Sequence, residues 1–139
     1  METTDYVDYP TAVALKKCGF DEPCIAQWAC EPNGKPILVG STAFVFSNAE
    51  LKGRDVTAPL LFHAQKWLRE KHDIHIQIEA VMQKQWTYTL VDTAPLSDMY
   101  GEWHDRIPED REGYPQISTY EQALSDGIAS ALELIKKGE

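Results

Sequence analysis

Long apolar runs are missing from this 139-residue chain. No stretch approaches the ~18–20 consecutive apolar residues of a membrane span, so no membrane association is expected. Paired-cysteine knuckles are missing too. Cys18, Cys24 and Cys30 follow a C-x5-C-x5-C spacing. Structural zinc sites use closer pairs, so no metal is expected and the thiols read as small buried hydrophobes. The first residues, METTDYVDYP, lack the basic and apolar regions of a signal peptide. With an odd cysteine count, this points to reduced thiols and a cytoplasmic location.

Basic residues are few. Thirteen Lys and Arg face 22 Asp and Glu, for a net charge of −9. A broad phosphate-binding surface is met by Lys and Arg, so nucleic acid is disfavoured as a partner. The acids are not spread evenly. Residues 1–15 carry −3, residues 98–112 carry −4, and residues 16–97 balance at zero. The chain therefore reads as a neutral core with acidic appendages. Lys66, Arg69 and Lys71 form a local basic run, read as a solvated helix face.

Catalytic signatures are also absent. There is no G-x-S-x-G elbow, no G-x4-G-K-[ST] loop and no G-x-G-x-x-G turn. No cofactor is expected. The acid pairs Asp21-Glu22 and Glu109-Asp110 read as solvated loop residues.

What is present is patterned apolar sequence, 43% of the chain. The length fits a single domain over residues 1–139, with residues 1–8 as a tail. The first helix starts near Pro10 and Thr11, with Ala12, Val13, Ala14 and Leu15 on its apolar side. Gly19 ends it. If Gly19 is left-handed, Leu15 and Phe20 form the hydrophobic contact of a Schellman stop. Cys24 to Cys30 reads as a strand, with Cys24, Ala26, Trp28 and Cys30 on one face. Asn33-Gly34 is a hairpin turn, although Pro32 and Pro36 restrict pairing beside it. The second strand starts near Ile37, and Gly40 either bends or breaks it. Residues 47–56 read as loop.

A second helix is expected from Thr57 as N-cap to about His72, with Leu60, Leu61, Ala64, Trp67 and Leu68 facing the core. Ile74, Ile76, Ile78 and Ala80 alternate with polar residues. They pair in a hairpin with Trp86 to Val91. Residues 94–113 read as a long acidic loop. The last helix has a capping box at Ser118 and Glu121 and an apolar stripe of Tyr120, Leu124, Ile128, Leu132 and Ile135. The order α-β-β-α-β-β-α suggests an α+β fold: one antiparallel sheet of two hairpins with helices on one face.

Two stretches, APLLFHAQKWLREKHDIHI (Ala58 to Ile76) and TYEQALSDGIASALELI (Thr119 to Ile135), resemble small uncharacterised proteins of phages and prophages of gut Bacteroidetes. LKKCGFDEPC (Leu15 to Cys24) resembles their N-terminal helix and its stop. The resemblance covers most of the chain outside residues 36–56 and 94–113. It implies a phage-associated protein in a bacterial cytoplasm, but no activity, cofactor or catalytic residue.

Two functional readings follow. The first is a non-enzymatic interaction protein that binds a protein partner or a second copy. It would act through the exposed sheet face or through Met99, Tyr100 and Trp103, large residues in the acidic loop. The second is a small metal-dependent or hydrolytic enzyme. It needs at least two of His63, His72, His75 and His104 to converge with a carboxylate such as Asp73 or Glu79.

Overall fold

The computed structural model describes residues 3–32, 34–40, 44–82, 85–93, 103–104 and 117–137. The fold is α+β, and the chain forms two compact units, Met1–Leu61 and Phe62–Glu139.

In the first unit, helix α1 spans Tyr9–Lys17. Asp8 caps it, its carboxylate accepting the Thr11 N–H at 2.9 Å. Pro10 falls in the first turn, where no N–H is required. The stop is the expected Schellman motif. Gly19 takes φ +97°. Phe20 N–H donates to the Leu15 carbonyl at 2.9 Å, and Gly19 N–H donates to the Lys16 carbonyl at 3.1 Å. Leu15 and Phe20 are both buried.

Strand β1 (Ala26–Cys30) pairs antiparallel with β2 (Pro36–Gly40), as the turn signal implied. Strand β2 stops at Gly40, and Phe46 returns to bridge Cys24. The loop at residues 47–56 contains a short 3-10 turn, Asn48–Glu50. Its end adds β3 (Val56–Thr57) to the free side of β1. The Trp28 indole N–H donates to the Val7 carbonyl at 2.9 Å, tying the sheet to the N-terminal segment.

Thr57 is therefore not a helix N-cap. Its N–H donates to the Asn48 side-chain oxygen at 2.9 Å, and Ala58 N–H donates to the Ala26 carbonyl at 2.9 Å. Those amides are committed to sheet and clamp, so helix α2 begins only at Leu61 and runs to His72. Ala64, Trp67 and Leu68 are buried, as the apolar spacing required.

In the second unit, Asp73 alone links α2 to β4 (Ile74–Met82). It does so with φ +56°, a left-handed conformation that Asp tolerates better than most residues. β4 pairs with β5 (Gln85–Asp92) in the expected hairpin, with Ile76 opposite Leu90 and Ile78 opposite Tyr88. A short strand β6 (Trp103–His104) joins the other side of β5.

The hairpins lie in two sheets, ordered β2-β1-β3 and β4-β5-β6, not in one. The second edges of β1 and β5 are occupied by β3 and β6, short strands that propensity did not announce. The α-β-β-α-β-β-α order is otherwise as expected, with β3 and β6 inserted.

Helix α3 (Tyr120–Lys137) packs on the apolar face of β4 and β5. Its cap is Thr119, whose hydroxyl accepts the Gln122 N–H at 3.0 Å, one residue beyond the expected Ser118 box. Leu124, Ile128 and Leu132 are buried as expected, but Ala123, Gly127 and Ala131 share that face. Small residues at this spacing bring the helix backbone close to Ile76 and Tyr88. Tyr120 is exposed, its ring meeting Trp86 edge-on at 5.4 Å.

Candidate functional site

The pairing of the first sheet decides what its surface offers. Ala26, Trp28 and Cys30 stand opposite Gly40, Leu38 and Pro36, while Gln27 and Ala29 stand opposite Val39 and Ile37. Strand side chains alternate between faces. Ala26 and its neighbours therefore share the inner face, where Ala26 and Val56 are buried. Ile37 and Val39 share the outer face with Gln27 and Ala29, and they are 52% and 42% exposed; Ile25, at the bend just before β1, is 46% exposed. β-Branched apolar residues on a half-covered sheet normally face a core. Phe44 and Val45, just before the bridge at Phe46, are also exposed. Exposed apolar residues side by side on a sheet face, as Ile37 and Val39 are, are the kind of feature that marks an interaction site when they belong to a larger patch.

Among the described residues, β2 pairs only with β1. On β1, the Ala26 carbonyl accepts from Ala58 N–H, and Cys30 N–H donates to the Asp55 carboxylate at 2.8 Å. The N–H and C=O of even-numbered β1 residues thus point toward β3. Those of Gln27 and Ala29 point toward β2 and bond Val39 and Ile37. It follows that Leu38 and Gly40 direct their own N–H and C=O outward. Pro36 occupies the same outward set, where its missing N–H takes nothing from the ladder.

The residues singled out from the sequence fall elsewhere. Met99 and Tyr100 lie outside the described residues. Trp103 lies in β6, its backbone opposite Val91, so that part of the expected loop is strand. The remainder of residues 94–113 lies outside the described residues.

Among the described residues, no three His, Cys, Asp or Glu are placed to hold a metal ion. His72 packs its ring edge-on to Trp67 at 4.8 Å. His63 sits half-buried on α2, and the His104 backbone is opposite Leu90. Asp73 serves as the link between α2 and β4. Glu79 accepts from the Gln77 amide. His72 does border a cleft of about 180 Å³ with Ile74, Leu90, Asp92, Leu134 and Ile135. Small-molecule sites run to ~300–1,000 Å³, so this cleft is small for one.

His75 is polar in sequence but half-buried, and its Nδ1 has no hydrogen-bond partner among the described residues. Burial, followed by repulsion from Arg69, lowers its pKa below the usual 6.5. The folded protein therefore binds this proton less readily than the unfolded chain. Stability is complete above the unfolded pKa and is lost as pH falls from there through the lowered folded value. A wild-type stability curve is expected to decline over that window, and His75→Gln is expected to flatten the decline. Urea midpoints measured across pH check this. An unchanged slope in the variant would assign the pH dependence to other groups.

Cys18, Cys24 and Cys30 form no disulfide. Burial pushes the Cys24 thiol up to about 11, so it is an inert core group, not a nucleophile. Lys66 and Glu70 form an exposed pair at 3.9 Å, a solvated helix face as expected. No described helix is long and apolar enough to cross a membrane.

The outer face of the first sheet was only loosely anticipated. Ile25, Ile37 and Val39 alternate correctly for strands, but alternation does not say which face is covered. Comparison with protein-family models, curated proteins and solved structures finds no match to this chain.

Proposed function

We propose that this chain is a non-enzymatic, phage- or prophage-associated protein that works in the bacterial cytoplasm by binding another protein surface. The observation that carries the reading is the outer face of the first sheet, where Ile37 and Val39 are exposed beside a strand edge with no partner among the described residues, and Ile25 is exposed just before β1. The buried core of a protein–protein contact is apolar and depleted of charge. The charge distribution agrees. Between residues 25 and 45 the charged residues are Glu31 and Lys35, and the excess acid lies in other segments. The resemblance of Ala58 to Ile76 and Thr119 to Ile135 to phage proteins supports the proposed setting.

The test is affinity capture from prophage-induced bacterial cells with three baits: wild type, Ile25→Lys/Ile37→Lys, and Tyr100→Ala/Trp103→Ala. The sheet-face variant is expected to lose the partner that the wild type retains. If only the loop variant loses it, the acidic loop is the binding site and the sheet-face assignment is wrong. If neither variant loses it, both assignments are wrong.

A further inference from the structure

We infer that the surface bound by the edge of the first sheet is a second copy of this chain, paired antiparallel through β2 across a two-fold axis at Leu38. This rests on the interaction reading above and names its partner. The argument is the self-complementarity of the edge. Leu38, Gly40 and Pro36 turn their backbone groups outward, because Val39 and Ile37 use theirs on β1. About a two-fold at Leu38, each Leu38 N–H meets the Leu38 carbonyl of the other copy. Each Gly40 N–H meets the other copy's Pro36 carbonyl. Proline lacks a donor there, yet every outward N–H of the strand still finds an acceptor.

The side chains agree with the same register. Ile37 of one copy falls directly opposite Val39 of the other, in the close type of antiparallel pair. Both are exposed in the single chain, at 52% and 42%. Pairing would continue the apolar outer face from one copy to the next. Charge does not oppose it, since Pro36–Gly40 holds no charged residue. Natural edge strands block such pairing with charges, bulges, prolines or short length. β2 is short and carries Pro36, but it has no charge or bulge among the described residues, and in this register Pro36 forfeits only one bond at each end, to the Gly40 carbonyl of the other copy. An isologous contact of this kind closes as a dimer and leaves no new edge at the junction.

The register makes a test in which sign matters. In Ile37→Lys/Val39→Lys, like charges face each other across the axis. In Ile37→Lys/Val39→Glu, each Lys faces a Glu of the other copy. Sedimentation equilibrium is expected to show a wild-type dimer. The same-sign variant should weaken association by at least about tenfold, and the opposite-sign variant should retain it in low salt. Far-UV circular dichroism confirms that both variants fold. Amide exchange on the wild type gives a second readout: Leu38 and Gly40 N–H should become protected as protein concentration rises.

A wild-type monomer through the high micromolar range overturns the inference. So does equal weakening by both variants, or fast exchange at Leu38 and Gly40 at every concentration. A monomer that still captures a partner through Ile25 and Ile37 would end the second-copy inference and leave the interaction reading standing.

Discussion

Asn48→Ala is expected to remove about 3 kcal/mol of unfolding free energy, the largest loss foreseen for a single polar substitution in the first unit. Asn48 is 6% exposed. Its amide nitrogen donates to the Phe20 carbonyl at 2.8 Å, and its amide oxygen accepts the Thr57 N–H at 2.9 Å. One side chain thus joins the end of the α1 stop, the 3-10 turn and β3. Thr57 has no sheet partner for this N–H, because its ladder bonds would have to lie on the other side of β3. Alanine removes the bond to the Phe20 carbonyl and leaves the buried Thr57 N–H without the Asn48 oxygen, an unmet buried group costing ~1–3 kcal/mol. Asn48→Asp separates the two contributions. It keeps the acceptor for Thr57 but loses the donor to Phe20, and it adds a charge to a buried site. Urea unfolding of both variants, with the slope held constant, measures the loss. A drop below about 1 kcal/mol for Asn48→Ala would mean that water or a local shift satisfies the Thr57 N–H.

Gly127→Ala is expected to destabilise the second unit by about 1–2 kcal/mol, against the usual direction for an internal helix glycine. In an exposed helix, alanine would gain up to ~1 kcal/mol over glycine. Here an added Cβ would stand 2.6 Å from Ile76 Cγ2 and 3.3 Å from Tyr88 Cγ. Ile76 is fully buried. Tyr88 is held by a 2.5 Å hydrogen bond between its hydroxyl and Ser130 on the same helix. Neither neighbour can move freely, so α3 must lift from the sheet, and overpacking of this kind costs ~1–3 kcal/mol. Thermal unfolding of Gly127→Ala checks the sign. A raised midpoint would show that Ile76 repacks and that the close approach is not needed. The paired variant Gly127→Ala/Ile76→Ala removes the obstructing Cγ2 and should recover part of the steric term, measurable as coupling in a double-mutant cycle.

These two sites show where local reading stops. Asn48 lies among Ser47, Gly53 and Asp55, and polar loop composition describes it correctly as non-helical. Nothing nearby in sequence says that it will be buried against Phe20. Gly127 interrupts a good helical stripe, where propensity alone marks it as a weak point. The A-x3-G-x3-A spacing of Ala123, Gly127 and Ala131 was the available signal, and it becomes meaningful only once a sheet is placed against it.

Local rules did determine much of this chain. The α1 stop at Gly19, the turn between β1 and β2, the β4–β5 hairpin and the apolar faces of α2 and α3 follow from glycine chemistry and from 2.0 and 3.6 periodicity. These depend on residues close in sequence, so the sequence contains them. Tertiary pairing decided the rest. Thr57 became a strand residue because β1 had a free edge and Asn48 was within reach of its N–H. The two hairpins lie in separate sheets, with β3 and β6 on the second edges of β1 and β5. The exposure of Ile37 and Val39 has the same origin. Alternation assigns them to one face, but only the layout of the first unit leaves them exposed while Thr57, on that face at the other side of β1, is buried. The physical reason is common to all three: hydrogen-bonding direction and face coverage are properties of neighbours distant in the chain.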